Sequence, residues 1–470
     1  LSLRLMLQNF TWFQWKRPLV AIVLTFLCNV ESSMLAVGEW PYMQTIDHDS
    51  TSSFFGVTTA VNKAGHAIFA FGFAIWAHKI SGIRIPMLVG RLITLIACVM
   101  YIFAEFLPSN KRWWMMACYV LFGIGFGTSP LLRSYIARVT SDENRSTACA
   151  LQNGASVLSV VVGPLAQISF IGLPYPGVAI ISPHINLSIY TAPIWLSLIT
   201  NIIAIALILV GLDDTREETE EKEEESSIIS LSSIRDRLIR LRSLNLPWIL
   251  ILLVILEKVV SGLALSTTTA LSAPVMTVMY ALTGQNAILA LAVSQMIVGC
   301  VAIGLALVFL LCKLGRLVSC RVLFVFSNIA VIIGYIITFP YPFMSNPMQP
   351  FNETTRAGCN PQEYSWCNTQ LAVHLIPFLI IMIITNSFAI PSAALSLDTI
   401  YSKMIGNIDQ NLMQSLIVIG DDVIQIVAPI YGSALFTSSG INPINIINGS
   451  IYIVATIVWI GAWKWLTPFN

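Results

Sequence analysis

The sequence predicts an all-α membrane protein of twelve transmembrane helices, arranged as two six-helix bundles with both termini cytosolic. Three observations carry this expectation. Apolar residues make up 56% of the 470 residues and charged residues 10%, against roughly 25% charged in an ordinary globular chain. Twelve apolar runs have helical length, and a polar gap divides them six and six. About 263 apolar residues are available, and twelve spans of about 20 residues need about 240. That leaves little for soluble domains, and it excludes a nucleic-acid binder, a secreted disulfide scaffold and a disordered chain. The net charge of +1 says nothing about partners.

The runs fall at about 18–43, 53–77, 85–106, 113–138, 148–172 and 189–212, then at about 247–273, 285–311, 319–339, 371–397, 412–436 and 447–467. They are continuous rather than alternating, so helices and not barrel strands are expected. The segment before the first run has no small-residue cleavage site, so that run reads as a span and not as a signal peptide. With a cytosolic N-terminus, 18 Lys and Arg residues fall on the cytosolic side. Only Lys111, Arg112 and Arg356 fall on the other, as the positive-inside rule requires. The expected units are an N-terminal bundle over 1–212, a cytosolic linker over 213–246 and a C-terminal bundle over 247–470. The linker opens with seven Glu between Glu217 and Glu225, a solvated tether. It continues through Leu231–Leu246 with leucines and isoleucine on one helical face and Arg235, Arg237, Arg240 and Arg242 towards the other. That second part is either a helix lying on the anionic membrane surface or a basic flank that fixes orientation.

The two halves repeat weakly. A basic turn follows the second span of each: Lys79 to Arg84 in the first, and Lys313, Gly315 and Arg316 in the second. Tandem six-span halves with such turns resemble the major facilitator superfamily, whose turn usually opens with Asp where this chain has His78 or Cys312. Gly154 and Gly163-Pro164 in the fifth span match that family's kinked fifth helix in part. Further strings narrow the likeness: Trp40-Pro41-Tyr42 with Ile46-Asp47, Arg133-Ser134-Tyr135-Ile136-Ala137, Tyr190-Thr191-Ala192-Pro193, Gly358-Cys359 with Trp366-Cys367, and Tyr401-Ser402-Lys403. Together they resemble the lysosomal, ceroid-lipofuscinosis-associated branch of the superfamily over nearly the whole chain. The resemblance implies the major facilitator fold and a glycosylated endolysosomal membrane protein, with transporter and chloride-channel activities both proposed for the branch.

A charge at the bilayer centre costs at least ~2.5–3.5 kcal/mol on insertion scales, so each one needs a reason. Glu31 lies 13 residues into the first span, roughly 20 Å deep at ~1.5 Å per residue. Lys63, Glu257, Lys258, Asp421 and Asp422 fall at similar depth. Glu31 is expected to pair with Lys63, and Lys258 with Asp421 or Asp422. Glu257 and Lys258 are adjacent and point about 100° apart, so they cannot share one partner direction. Four carboxylates and two lysines leave an excess of two negative charges, so one or two carboxylates are expected to hold protons, as in a proton-coupled carrier. The alternative is that the pairs only lock helices. His66, at i+3 from Lys63, is either a proton relay or a packing residue. Arg133 either holds an anion or gate partner, or snorkels to the lipid surface. Asn386 in the tenth span is a candidate neutral cavity residue.

Of nine cysteines, only Cys359 and Cys367 fall in the long luminal loop, and they are expected to form a disulfide. Of five N-x-S/T sequons, the one at Asn352 sits mid-loop and is the expected glycosylation site. No Walker motif, metal-ligand cluster or nucleophile–base string occurs, so neither an enzyme nor a bound cofactor is expected. The leading function is a secondary active transporter, symporter or antiporter, working by alternating access as a monomer. Its partners are a small-molecule or ion substrate, protons and the lipid bilayer. An anion channel and a non-transporting sensor on the same fold are the rivals.

Overall fold

The computed structural model describes residues 12–140, 142–182, 185–212, 247–311, 318–405 and 410–467. The tether and basic helix expected in 213–246 lie outside the described residues, as do Lys313, Gly315 and Arg316 of the second basic turn.

The N-terminal part contains α1 (Trp12–Ile46), α2 (Ser52–Lys79), α3 (Arg84–Ile102), α4 (Lys111–Phe126), α5 (Ser129–Val139), α6 (Asp142–Ser169) and α7 (Ala192–Gly211). The C-terminal part contains α8 (Trp248–Val278), α9 (Gly284–Leu311), α10 (Cys320–Ile337), α11 (Leu375–Ile384), α12 (Ile390–Ile405), α13 (Gln410–Ser439) and α14 (Ile441–Gly461). Among the described residues, eleven helical segments are long and apolar enough to cross a membrane. The expected second span, α2, is not one of them although it is 28 residues long. Asn62, Lys63 and His66 sit at its centre and lower its hydropathy. The fourth expected span is interrupted at Gly127–Thr128, which separates α4 from α5. The tenth carries one π-helical turn, Thr385–Ala389, between α11 and α12. Two short antiparallel pairs, Val178–Ser182 with Ile185–Leu187 and Ser345–Pro347 with Leu371–Val373, stiffen the loops. Hydropathy along the chain gives no sign of them.

Local chemistry sets the ends. Thr51 caps α2 by accepting from the Phe54 amide at 3.2 Å, and Ser319 caps α10 by accepting from Val322. Pro193 lies in the first turn of α7, where its missing N–H has no intrahelical partner to lose. Gly440, at φ 74°, separates α13 from α14. Large apolar side chains such as Val210, Ile249, Phe326 and Ile376 face outwards, as a lipid-facing surface requires.

Helices α1, α3, α6 and α7 pack on one another, as do α8, α10, α12 and α14. The two groups meet chiefly along two seams, α2 against α13 and α6 against α9. Small residues allow that approach. A side chain at Gly56 would collide with Ser433 and with the Pro429 carbonyl, and one at Gly299 would press on Val161. At one end the groups are also tied by hydrogen bonds. Trp40 donates to Thr277 at 3.0 Å, Ser52 and Thr437 share a bond at 2.7 Å, and Gln285 donates to the Ile171 carbonyl at 2.8 Å. The disulfide Cys359–Cys367 lies in the loop packed over this end, with Cα atoms 5.6 Å apart, as the sequence led us to expect. Tyr364 of that loop donates to Ser52 at 3.3 Å.

Candidate functional site

Two clusters of membrane-depth charges emerge, and they differ in kind. The first is a packed weld. Arg91 of α3 donates to Glu31 Oε2 of α1 at 3.1 Å, to Asn201 Oδ1 of α7 at 3.3 Å and to Cys28 Sγ at 2.6 Å. Asn201 also donates to Glu31 Oε1 and to the Ser197 carbonyl. Glu31 and Arg91 are 2% and 1% exposed, so this pair is closed to solvent. The expected Glu31–Lys63 pair is therefore corrected: Glu31 belongs to Arg91. Depth along a helix was the only coordinate the sequence supplied, and depth does not fix direction around the axis. A guanidinium with several donors also satisfies a buried carboxylate better than a single ammonium does.

The second cluster straddles the α2–α13 seam. Lys63 lies seven residues from Gly56, nearly on the same face of α2, and Gly56 touches α13. The charges of Glu39 from α1 and of Asp421 and Asp422 from α13 bear on Lys63. The Lys63 charge in turn bears on His66. Lys63 is exposed all the same, and no carboxylate lies within ion-pair distance of it among the described residues. A lysine that feels charges from two other helices, one in each group, yet is still accessible lies in a cleft between the groups, not in a packed core. Asp421 sits against Gly262 of α8 and accepts from Gln425 at 3.0 Å. Tyr101 and Tyr119 flank Glu39 electrostatically.

The second expected pair is also corrected. Lys258 binds Asp398 of α12 at 2.9 Å rather than Asp421 or Asp422. Its neighbour Glu257 turns inwards and is 2% exposed. Arg133 is exposed on α5 and reaches Asn153 of α6 at 3.5 Å. Asn386 occupies the π turn, with its Oδ1 buried and unbonded. Lys79 ends α2 and Arg84 opens α3, where it donates to the Leu209 carbonyl. Asn352 is exposed in its loop and accepts from the Thr354 and Thr355 amides. In the same loop, burial pushes the Glu363 carboxyl up, partly offset by hydrogen bonding to Tyr364 and to the Ser52 backbone.

Arg91, Glu39 and Asp398 were missed by the sequence reading. Each had a signal. Arg91 lies seven residues inside α3, Asp398 eight inside α12, and Glu39 directly precedes the Trp40-Pro41 string. An apolar run hides a charge when only its mean hydropathy is read.

The family model described as Major Facilitator Superfamily matches residues 21–355, well over half of the chain. The chain belongs to the major facilitator superfamily. A curated relative, major facilitator superfamily domain-containing protein 8 of Xenopus laevis, is 24% identical over 461 residues, covering 91% of this chain and 87% of that one. Among solved structures, the xylose transporter XylE from E. coli in an inward-open conformation superposes with a TM-score of 0.64 at 12% identity, covering 96% of each chain. A bacterial homologue of the human lysosomal transporter Spinster, inward-facing and occupied, gives 0.61 at 12% identity, covering 95% of this chain and 96% of that one. The likeness to these structures bears on the fold alone; the family match and the apolar helices make the chain an integral membrane protein.

Proposed function

We propose that this protein is a secondary active transporter that moves a small solute by alternating access, coupled to protons through Glu39, Lys63, His66, Asp421 and Asp422. The observation that carries the reading is the position of Lys63. It sits in a cleft at the seam between the two groups, with carboxylates of both groups around it and, among the described residues, none in ion-pair contact. A cationic group in that place can change partners as the seam opens and closes, and each change alters how readily the carboxylates release protons. The welded Glu31–Arg91 pair cannot do this without exposing a charge.

Hydrogen bonds tie the groups at the disulfide end, which supports a conformation closed on that side. If that side is luminal, as the Lys and Arg distribution predicts, the cleft faces the cytosol. The reading includes twelve spans with cytosolic termini, six-span units over 1–212 and 247–470 joined by 213–246, and a monomer in the endolysosomal membrane. It also includes a glycan on Asn352 and gating roles for Lys79, Arg84, Lys313, Gly315, Arg316 and Arg133. The endolysosomal assignment rests on the resemblance of the Trp40-Pro41-Tyr42, Arg133-Ser134-Tyr135-Ile136-Ala137 and Gly358-Cys359 strings to the lysosomal branch.

The test is a flux measurement in proteoliposomes with an imposed pH gradient, a panel of radiolabelled small solutes and an internal pH dye. Saturable, gradient-driven uptake is expected, with Lys63→Gln and Asp422→Asn each losing its pH dependence. Voltage-driven chloride current without saturation would establish the channel instead.

A further inference from the structure

A second buried carboxylate has no cation paired with it among the described residues. In the N-terminal group, Glu31 of α1 meets Arg91 of α3 and Asn201 of α7, so carboxylate, guanidinium and amide satisfy one another. The corresponding helices of the C-terminal group are α8, α10 and α14. They bring Glu257, Ser261 and Asn328 to one layer, with Tyr452 bordering it. Glu257 lies nine residues from the start of α8, Asn328 eight from the start of α10, and Tyr452 nine from the end of α14. At ~1.5 Å per residue all three are roughly 12–14 Å from the same end. Packing confirms the level. On one side of the layer Val254, Phe324 and Trp459 share an apolar cluster, and on the other side Ala264, Val331 and Tyr452 share another. Glu257 with Ser261, and Asn328, fall between those positions on their own helices. Tyr452 bears electrostatically on Glu257 and reaches Ser261.

These groups are shut away from solvent: Glu257 is 2% exposed, Asn328 1% and Ser261 4%. They are also unsatisfied. Glu257 Oε2, Ser261 Oγ and both Asn328 Oδ1 and Nδ2 lack a well-formed hydrogen bond. Lys258, the nearest cation in sequence, is committed to Asp398 on another face. The guanidinium of the second group on α10, Arg321, lies seven residues from Asn328 at the start of the helix and donates to the Trp463 carbonyl and to Thr467, and no ion pair joins it to Glu257 among the described residues. A buried carboxylate needs a compensating positive charge, and carboxylate, amide and hydroxyl oxygens are the donor set of a hard cation. A single carboxylate balances one charge, and no cluster of three or more His, Cys, Asp or Glu suited to a metal occurs among the described residues. That chemistry favours a monovalent ion over a divalent one.

We infer that Glu257, Ser261 and Asn328 form a binding site for a dehydrated monovalent cation of sodium size inside the C-terminal group. The ion joins α8 to α10 and α14 as Arg91 joins α1, α3 and α7. The site lies apart from the Lys63 cleft and does not depend on the transport reading.

The test uses the full-length protein in nanodiscs, with the thermal unfolding midpoint followed at pH 7.5. Sodium chloride is titrated against choline chloride at constant ionic strength. A saturable rise of the midpoint with sodium is expected. Glu257→Gln and Asn328→Leu should each abolish the rise. Ser261→Ala, a milder change that protects against loss of folding, should raise the half-saturating sodium about tenfold, the loss of about one good ligand contact. Asn352→Gln, on the surface, should leave the titration unchanged. No sodium effect on the unmodified protein overturns the site and leaves a proton as the neutralising charge on Glu257. A sodium effect that persists in both Glu257→Gln and Asn328→Leu also overturns it, because the ion is then bound elsewhere.

Discussion

Arg91 shows how a single residue changes the meaning of another. Glu31 alone at membrane depth looks like a proton site, but with Arg91 and Asn201 around it the carboxylate is part of a structural joint. Removing one partner of such a buried pair leaves the other charge uncompensated and costs about 3–5 kcal/mol. Arg91→Met is therefore expected to lower the thermal unfolding midpoint sharply in detergent. The double change Glu31→Gln with Arg91→Met should recover much of the loss, since two uncharged side chains no longer strand a charge. A double variant as unstable as the single one would show that the guanidinium acts through packing alone. The residue scale is also where sequence reading failed most. Lys63, Asp421, Asp422 and Lys258 were legible as intramembrane charges. Their partners were not, because several helices of similar depth offered charges and no azimuth was known.

At the scale of elements, α2 is distinctive. Among the described residues it is the long helix too polar to count as an apolar span, and it supplies Lys63 and His66 to the cleft. Its polarity is tolerable because it spends one face on α13, with Gly56 set against Ser433 and Pro429. A β-branched side chain there cannot fit without separating the helices. Gly56→Val is expected to open the seam at the disulfide end. In a Thr437→Cys background, the introduced thiol should then react faster with a membrane-impermeant maleimide than it does when Gly56 is unchanged. An unaltered labelling rate would mean that the seam adjusts around the new methyl groups. The helical runs themselves were readable in the sequence, apart from the break between α4 and α5, the π turn and the loop strands. Those depend on hydrogen bonds to neighbours and leave no periodic trace.

Across the whole molecule, the disulfide end and the opposite end have different chemistry. The closed end is held by neutral hydrogen bonds and by the 340–370 loop, in which Glu363 sits partly buried near the Tyr364–Ser52 contact. Because burial raises the folded pKa of Glu363 above its unfolded value, the folded state binds the proton more tightly. Its stabilising effect is full below the ordinary carboxylate range and is lost as pH rises through the raised value. The closed end is thus expected to be firmer in acid than at neutral pH. Glu363→Gln should flatten that dependence when maleimide labelling of the same Thr437→Cys variant is followed across about pH 4.5 to 7.5, a window that spans the ordinary carboxylate range and the raised one. A dependence that survives the change would assign the effect to another group.

Sequence alone determined the membrane class, the helical runs, the weak repeat, the family likeness and the disulfide, because hydropathy, charge bias and cysteine placement act locally along the chain. Tertiary structure alone decided which charge meets which. A helix shows each of its faces to a different neighbour, and only packing selects that neighbour. It joined Glu31 to Arg91 and Lys258 to Asp398, left Lys63 open in the seam, and buried Glu257 with no cation paired to it among the described residues.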